Sequence, residues 1–350
     1  MKINFILPSI GNSGGIDVVQ KYADIMSIMG HDVVIYKEIL SPNLHRYKSA
    51  LKNKMHQGWC SLKSLTGIGK KKKHDHFIFK VNGKTIRRAD VTIATSWPTA
   101  FEVDKLPTRC GKKYYFIQDI EIWDNKELGL RSYRLPLNRV VISTWINKRL
   151  REELSIGPFP MIYNGIDTSL FNDVNRTEHT GITFLMLNHT LEKKGVRQGL
   201  EAYNRIHRLY PNTKLRMFGM CSNENLPSEV EYHQDPSKDL LVSLYKDTDI
   251  FIYPSLEEGW GLTPIEAMAC GCVVVGTETG FVLDLGKHKY NMMVSKPGDI
   301  EEMTHNIDIL IRSSSLLLEI QKNAKEAVYN LEWKVSCSKF IKYLEEYPGD

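Results

Sequence analysis

Two glutamates in the second half of the chain, Glu258 and Glu266, have the residue type and spacing for a site that recognises hydroxyl groups. A carboxylate can accept two hydroxyl hydrogen bonds at once, and charged acceptors form the stronger bonds. The acids stand eight positions apart, one on a predicted loop and one in the first turn of a predicted helix, so both can face one crevice. Spacing alone does not choose between this interpretation and a plain one, in which Glu266 completes a capping box and Glu258 is a solvated loop charge.

The stretch from Asp249 to Gly276 predicts the strand–loop–helix–strand unit that positions both acids. Ile250–Tyr253 and Cys272–Val275 are short apolar runs, typical of strands in a parallel sheet that is covered on both faces. The loop Ser255–Leu262 then lies at the carboxyl end of a buried strand. In open α/β sheets that is where ligands bind, next to the N–H groups of the following helix.

The helix of this unit has start and stop signals in its sequence. Thr263 as N-cap, Pro264 at the first helical position and Glu266 three residues after the cap predict its beginning. Gly271 predicts its end in the left-handed conformation.

The segment EGWGLTPIE followed by AMACGCVVVG resembles the E-x7-E signature of retaining glycosyltransferases of the GT-B fold, above all family 4. The resemblance implies that Glu258 contacts hydroxyls of the donor sugar and that Glu266 holds the nucleotide ribose. It also implies that the loop amides face the phosphates, and glycines at 259 and 261 would let the backbone approach closely. The loop residues assigned to donor binding in this way are Gly259, Trp260, Gly261, Leu262 and Thr263.

The same family usually carries an Arg after the first strand of its second domain and a Lys-Gly pair five residues later. Lys194-Gly195 matches this pattern, but His189 occupies the position of the Arg. The resemblance implies that Lys194, with His189, stabilises the charge that develops on the leaving diphosphate. A neutral imidazole can donate one hydrogen bond but lacks the bidentate guanidinium clamp, and Lys193 or Arg197 could supply the missing charge.

Three further positions of the second domain correspond to the nucleotide site of the family. Gly219 ends a predicted strand, and Tyr232 and His233 lie where family members hold the base, largely through the backbone.

In the first domain, a glycine turn and an acid are the candidates. Gly14 and Gly15 open a predicted helix, and the resemblance places such a turn across the cleft from the E-x7-E loop, near the donor phosphates or the acceptor. Positive φ in a tight turn explains either glycine equally well. Asp119 follows a predicted strand, and the resemblance implies that it orients or deprotonates an acceptor hydroxyl. A capping role in the following turn explains it as well.

The charge of the chain is unevenly distributed. The net charge is +5, yet the segment from Asn43 to Asp90 holds thirteen Lys and Arg against two Asp and is therefore strongly basic. Basic residues interleaved with Leu, Met and Trp59, followed by a lysine run, predict an insertion over about 43–85 that binds an anionic membrane surface or another polyanion. A solvated loop is the alternative, and no nucleic-acid partner is expected because no such binding module is recognisable.

Composition and cysteine usage favour a cytoplasmic protein, with the basic insertion allowing peripheral contact with the inner face of a membrane. A hydrophobic fraction of 42% is ordinary for a globular protein, and the N-terminal apolar run is too short for an export signal. Cys270 and Cys272 suit core packing better than a metal. Asp247-Thr248-Asp249 looks like a D-x-D metal motif but stands at a helix end, where turn chemistry is typical. No metal or other cofactor is expected.

Together these features predict an α/β protein of the GT-B fold, with two Rossmann-like domains facing across a cleft and a C-terminal helix that crosses back to the first. The predicted domains are 1–170 plus 333–350 on the acceptor side and 171–332 for the nucleotide sugar. The implied activity is retaining transfer of a sugar from a nucleotide diphosphosugar to a glycan, lipid-linked or polyanionic acceptor, as in cell-envelope glycan biosynthesis. The alternatives are a nucleotide-sugar-binding protein without transferase activity, another GT-B enzyme such as an epimerase or a phosphorylase, and a nicotinamide dehydrogenase. The dehydrogenase is disfavoured because the spaced glycine fingerprint is missing.

Overall fold

The computed structural model describes residues 1–8, 14–38, 72–173 and 181–346. The chain divides into two compact units. The first comprises the described residues within Met1–Ile142, Ile146–Tyr163 and Trp333–Asp350, and the second those within Ser143–Trp145 and Asn164–Glu332. Among the described residues, no helix is both long and apolar enough to cross a bilayer.

The secondary-structure elements of both units are the following, in chain order. The strands are β1 Lys2–Leu7, β2 Asp32–Glu38, β3 Asp75–Ile78, β4 Val91–Ala94, β5 Lys112–Ile117, β6 Asn138–Val141, β7 Thr183–Leu187, β8 Lys214–Gly219, β9 Glu231–Gln234, β10 Ile250–Tyr253, β11 Val273–Thr277 and β12 Met293–Ser295. The helices are α1 Gly14–Ile28, α2 Trp97–Asp104, α3 Lys126–Ser132, α4 Thr144–Leu154, α5 Val196–Leu209, α6 Lys238–Lys246, α7 Leu262–Ala269, α8 Val282–Leu285, α9 Ile300–Arg312, α10 Ser314–Val328 and α11 Trp333–Glu346.

The first unit is built on a parallel sheet with the strand order β3-β2-β1-β4-β5-β6. Its central strands are almost wholly buried, as uninterrupted apolar runs predict. Helix α1 follows β1, and its apolar positions Ile16, Val19, Ala23 and Met26, which recur at helical spacing, are buried. Gly30 ends this segment with φ at 90°.

Helix α11 belongs to the first unit although it follows the second in the chain, which confirms the predicted return of the C-terminal helix. It packs against α1 through aromatic contacts. The ring of Tyr22 stands edge-on to those of Trp333 and Phe340, with centroids 5.4 and 5.3 Å apart. Edge-on aromatic pairs stabilise a protein beyond the burial of their apolar surface. Helix α11 is therefore part of the core of this unit.

Strand β3 corrects the prediction of a basic insertion over 43–85. Residues 43–71, with the predicted membrane-surface helix, lie outside the described residues, whereas Asp75–Ile78 form the edge strand of the sheet. Lys37 Nζ lies 2.7 Å from Asp75, and both side chains are almost fully buried. Gln20 donates a further bond of 2.5 Å to the same carboxylate. The sequence suggests that Asp75 lies on a charged surface. In the structure its carboxylate is buried, because Lys37 and Gln20 bind it.

A second buried carboxyl group lies at the end of β2. Glu38 is 1% exposed and accepts a hydrogen bond from the amide of Val81 at 2.9 Å. Glu102 on α2 is 8% exposed and faces Glu38. Burial, and then the neighbouring Glu38, raise the pKa of Glu102 to about 10, although Lys80 and Lys105 oppose this. Glu102 therefore keeps its proton at neutral pH.

The second unit is also built on a parallel sheet, with the order β12-β11-β10-β7-β8-β9. Strand β10 pairs with β7 and β11, so it lies at the centre of the sheet. All four of its residues are buried. Two Rossmann-like α/β units are thus present as predicted, while the predicted cleft between them stays a prediction.

Candidate functional site

The loop that joins β10 to α7 carries Glu258 and begins at the carboxyl end of a buried strand. Its backbone is supported by the segment 279–281, where the Phe281 amide donates to the Trp260 carbonyl at 2.8 Å. A Cβ atom on Gly280 would stand 2.3 Å from that carbonyl oxygen and 3.2 Å from Glu258 Cγ. Only glycine fits this position. Sequence reasoning missed Gly280 because it lies beyond the unit Asp249–Gly276.

The start of α7 differs from the prediction. The N-cap residue is Gly261 with φ at 95°, and helix α7 begins at Leu262, so Thr263 is not the cap. A Cβ atom on Gly261 would stand 2.9 Å from the hydroxyl of Tyr253, and its positive φ suits glycine alone. The predicted capping box is therefore wrong, because the glycine turn starts the helix before the Thr-Pro signal. The predicted left-handed end at Gly271 is confirmed by its φ of 87°.

Lys194 reaches the same loop from a short 3-10 turn, Glu192–Lys194, that follows β7. The amides of Leu256 and Glu257 donate to the Lys193 carbonyl at 2.7 and 3.2 Å, which ties the turn to the loop. Gly195 has φ at 66°, and a Cβ atom there would stand 1.9 Å from the carbonyl oxygen of Pro254. Glycine is thus required sterically at position 195.

Glu258 and Lys194 form an ion pair at the carboxyl ends of β10 and β7. Lys194 Nζ lies 2.5 Å from Glu258 Oε2, and the two side chains are 18% and 15% exposed. They line a small cleft together with Leu187, Ser255 and Thr263. An ammonium has three donors, so the Lys194 group keeps capacity for an anionic ligand while it orients the carboxylate.

Glu266 lies on α7, where its side chain has a protein partner, and its contact with a nucleotide ribose stays a prediction. Its Oε2 accepts a hydrogen bond from the hydroxyl of Tyr245 at 3.1 Å. Burial raises the pKa of Glu266 to about 7, although the Tyr245 hydrogen bond and Lys238 act in the opposite direction. Glu266 is therefore divided between its charged and neutral forms near neutral pH. Sequence reasoning missed Tyr245 because nothing in its helix marks one side-chain hydroxyl as a partner.

His189 follows β7 and has a defined proton position. The amide of Leu191 donates to its Nδ1 at 3.0 Å, so the proton of the neutral ring resides on Nε2. Desolvation, and then the charges of Lys194 and Lys193, lower the pKa of His189. At neutral pH this residue supplies one neutral N–H donor and no positive charge.

The three positions predicted near the nucleotide base lie on β8 and β9. A Cβ atom on Gly219 would stand 2.3 Å from the Asn188 carbonyl oxygen and 3.2 Å from the Tyr232 hydroxyl. Tyr232 itself donates to the carbonyl of Cys221 at 2.5 Å. His233 Nε2 lies 2.9 Å from Glu231. These positions are structurally ordered by local contacts, and their role with a base stays a prediction.

The first unit contains the remaining candidates, which are Gly14, Gly15 and Asp119. Gly14 and Gly15 form the first turn of α1, and the side-chain amide of Gln118 donates to the Gly15 carbonyl at 3.3 Å. Asp119 Oδ1 accepts a hydrogen bond from the amide of Ile120 at 2.8 Å, as a residue that stabilises a turn does. Whether Asp119 also acts on an acceptor hydroxyl stays a prediction.

The residues of the D-x-D sequence, Asp247 to Asp249, contact other residues of the second unit. Thr248 donates to the Leu244 carbonyl at 2.7 Å, and Asp249 accepts from the Thr183 amide at 2.9 Å. Asp247 lies 3.6 Å from Arg216. Within the described ranges, no three His, Cys, Asp or Glu side chains are grouped so as to hold a metal ion.

Part of the chain matches a known protein family. Residues 168–327 match the family described as glycosyl transferases group 1. An uncharacterized glycosyltransferase of Methanocaldococcus jannaschii is 26% identical over 282 residues, which cover 70% of this chain and 72% of that protein.

Solved structures extend the likeness to the whole fold. Sucrose-phosphate synthase from Thermosynechococcus elongatus superposes with a TM-score of 0.75 at 14% identity, covering 99% of this chain and 98% of that one. The HepE protein of Anabaena, in complex with UDP-glucose, gives a TM-score of 0.73 at 16% identity, covering 99% and 100%. These proteins share the GT-B fold, which confirms the predicted fold class.

Proposed function

We propose that the protein is a retaining glycosyltransferase of the family 4 type that moves a sugar from a nucleotide diphosphosugar to a hydroxyl of a glycan, lipid-linked or polyanionic acceptor. The observation that carries this proposal is the ion pair of Lys194 and Glu258 beside the N-terminus of α7, inside the matched family region. The UDP-glucose complex of the HepE protein supports a nucleotide-sugar donor.

Each charged group has a distinct role in the proposed reaction. Glu258 accepts hydrogen bonds from hydroxyls of the donor sugar and fixes its orientation. Lys194 and the Nε2–H group of His189 face the diphosphate, where negative charge develops as the sugar departs. Preorganised donors at such a position are usually the largest contribution to catalysis.

The proposed chemistry requires no carboxylate nucleophile. The bond between the anomeric carbon and the phosphate oxygen breaks, and its electron pair stays on the diphosphate. The acceptor oxygen forms the new bond on the same face, and its proton passes to the departing phosphate oxygen. Because Lys194 supplies the positive charge, we also propose that turnover continues in EDTA.

Release of nucleoside diphosphate from a panel of nucleotide sugars, with and without candidate acceptors, tests this function. Lys194→Met is expected to lower turnover by about 10²–10³-fold, the usual effect of removing a donor that stabilises developing charge. Glu258→Gln is expected to lower turnover by about 10²-fold, because the sugar is no longer held in its reactive orientation. Lys325→Met removes a similar ion pair, with Asp173, on the surface of the same unit, and it should leave turnover nearly unchanged.

Four results would contradict the proposal in whole or in part. Binding of nucleotide sugar without any release would favour the alternative of a binding protein, and release without transfer would favour another GT-B enzyme. Unchanged turnover in both Lys194→Met and Glu258→Gln would remove the assigned site. Inversion at the anomeric carbon, measured by NMR of the product, would remove the retaining mechanism alone.

A further inference from the structure

Tyr245 on α6 is a fully buried tyrosine whose hydroxyl points to the candidate nucleotide site. It is 0% exposed, and its hydroxyl donates to Glu266 Oε2 at 3.1 Å. Among the described residues, no hydrogen bond reaches the other carboxylate oxygen, Oε1. The protein thus binds Oε2 of the Glu266 carboxylate, and Oε1 can accept a hydrogen bond from a ligand.

The phenol ring of Tyr245 is held in place from several sides. Three rings, those of Phe171, Phe218 and Phe251, contact it at centroid distances of 6.0, 6.0 and 5.9 Å. Its carbonyl accepts a hydrogen bond from Cys272 Sγ at 3.1 Å. A ring packed in this way cannot follow a moving carboxylate, so Glu266 must adopt the orientation that Tyr245 dictates.

We propose that Tyr245 is a positioning residue of the nucleotide site, whose hydroxyl binds one oxygen of Glu266 and directs the other toward the two hydroxyls of the bound ribose. This inference rests on the proposed function, since it takes Glu266 as the ribose ligand. A carboxylate has about four acceptor sites, and Tyr245 uses one of them while fixing the plane of the group.

The hydrogen bond also acts on the charge of Glu266. It favours the ionised carboxylate and so opposes the effect of burial on the Glu266 pKa. The charge of Lys238 acts in the same direction as this hydrogen bond, and Cys270 and Cys272 lie beside the phenol. Without the phenol hydroxyl, the Glu266 pKa rises further, and the protonated acid loses acceptor capacity at neutral pH.

Calorimetric titration with UDP, ADP and GDP, and with the 2′,3′-dideoxy form of whichever binds, tests this inference on the full chain. The wild-type protein should prefer the nucleotide with ribose hydroxyls, and Tyr245→Phe should reduce this preference by about tenfold, as expected for a hydrogen bond to a charged group. Affinity for the dideoxy nucleotide should not change. The midpoint of the pH dependence of nucleotide binding should move to higher pH in the variant.

Tyr203→Phe is the matched control, because it deletes another buried hydroxyl of the same unit, bonded to the Thr213 carbonyl at 3.3 Å. It should leave the preference intact. In a Glu266→Ala background, Tyr245→Phe should have no further effect on the preference, which shows that it acts through Glu266. Wild-type discrimination retained in Tyr245→Phe would overturn the inference alone. A wild-type protein that binds none of the three nucleotides would overturn the proposed function, and the inference with it.

Discussion

At the scale of single residues, the identity of residue 189 controls the charge next to the proposed diphosphate position. With Nδ1 occupied by the Leu191 amide and with a lowered pKa, His189 is a neutral donor beside two lysines. The positive charges that act on His189 are those of Lys194 and Lys193. An arginine would add a permanent charge and a second donor.

We accordingly expect His189→Arg to strengthen the binding of UDP, or of the nucleoside diphosphate that the protein prefers, by about tenfold at pH 7.5, since a charge-assisted hydrogen bond replaces a neutral one. His189→Gln, which keeps one neutral N–H donor, should bind within about threefold of the wild type. Calorimetric titration measures both. If the Arg variant binds no more tightly, His189 does not face the diphosphate.

At the scale of elements, one glycine joins helix α7 to the loop that carries Glu258. Gly261 and Gly271 stand at the two ends of this helix, and both have positive φ, 95° and 87°. They differ in position, because Gly261 borders the loop of Glu258 whereas Gly271 precedes β11. Substitution of each glycine in turn therefore distinguishes the cost of backbone strain, which both positions share, from an effect on the candidate site, which only Gly261 borders.

Gly261→Ala and Gly271→Ala should each lower the free energy of unfolding by about 1–2 kcal/mol, the cost of a left-handed alanine. Only Gly261→Ala should also weaken nucleotide binding, by at least about tenfold, because a Cβ atom there displaces the Tyr253 hydroxyl and with it the loop. Thermal unfolding and calorimetric titration give the two quantities. Equal loss of nucleotide binding in both variants would mean that the loop backbone has no special part in the site.

Elements were predictable from the sequence where a local pattern decides them. The apolar run Ile250–Tyr253 coincides with β10, and Gly271 ends α7 as expected. The start of α7 was not predictable, since a glycine with positive φ overrides the Thr-Pro signal. Strand β3 was missed because Lys37, the buried ion-pair partner of its Asp75, lies 38 positions away in the sequence, and only the tertiary structure brings the two together.

In the candidate site, the residues were predictable from the sequence, but the contacts between them were not. The types and spacing of Glu258 and Glu266 pointed to a hydroxyl-binding site, and the resemblance added Lys194. The ion pair of Lys194 with Glu258 and the hydrogen bond from Tyr245 to Glu266 join residues that are 64 and 21 positions apart. Contacts of this kind follow from how helices and strands pack, and no local pattern encodes them.

At the scale of the whole molecule, the buried acid of the first unit makes stability depend on pH. In the folded protein the pKa of Glu102 is raised to about 10 by burial and by Glu38. In the unfolded chain this residue ionises at its ordinary, much lower value. The folded state thus holds a proton that the unfolded state releases, so the stabilisation is complete in acid and is lost as pH rises through this window.

Glu102→Gln should remove this dependence, because a neutral amide replaces the neutral acid. We expect the free energy of unfolding at pH 8 to rise by about 2 kcal/mol relative to wild type, with little change at pH 4.5. Urea unfolding at both pH values measures the difference. The exposed Glu319→Gln serves as control, and a Glu102 variant with the wild-type pH slope would contradict the assignment.

The placement of α11 has a consequence for biosynthesis. Trp333 and Phe340 complete the surroundings of Tyr22, yet they leave the ribosome after every residue of the second unit has been translated. The second unit can therefore finish folding while the first still lacks part of its interior. The first unit, whose synthesis begins first, therefore completes its core last, and until then the side of α1 that packs against α11 stays exposed.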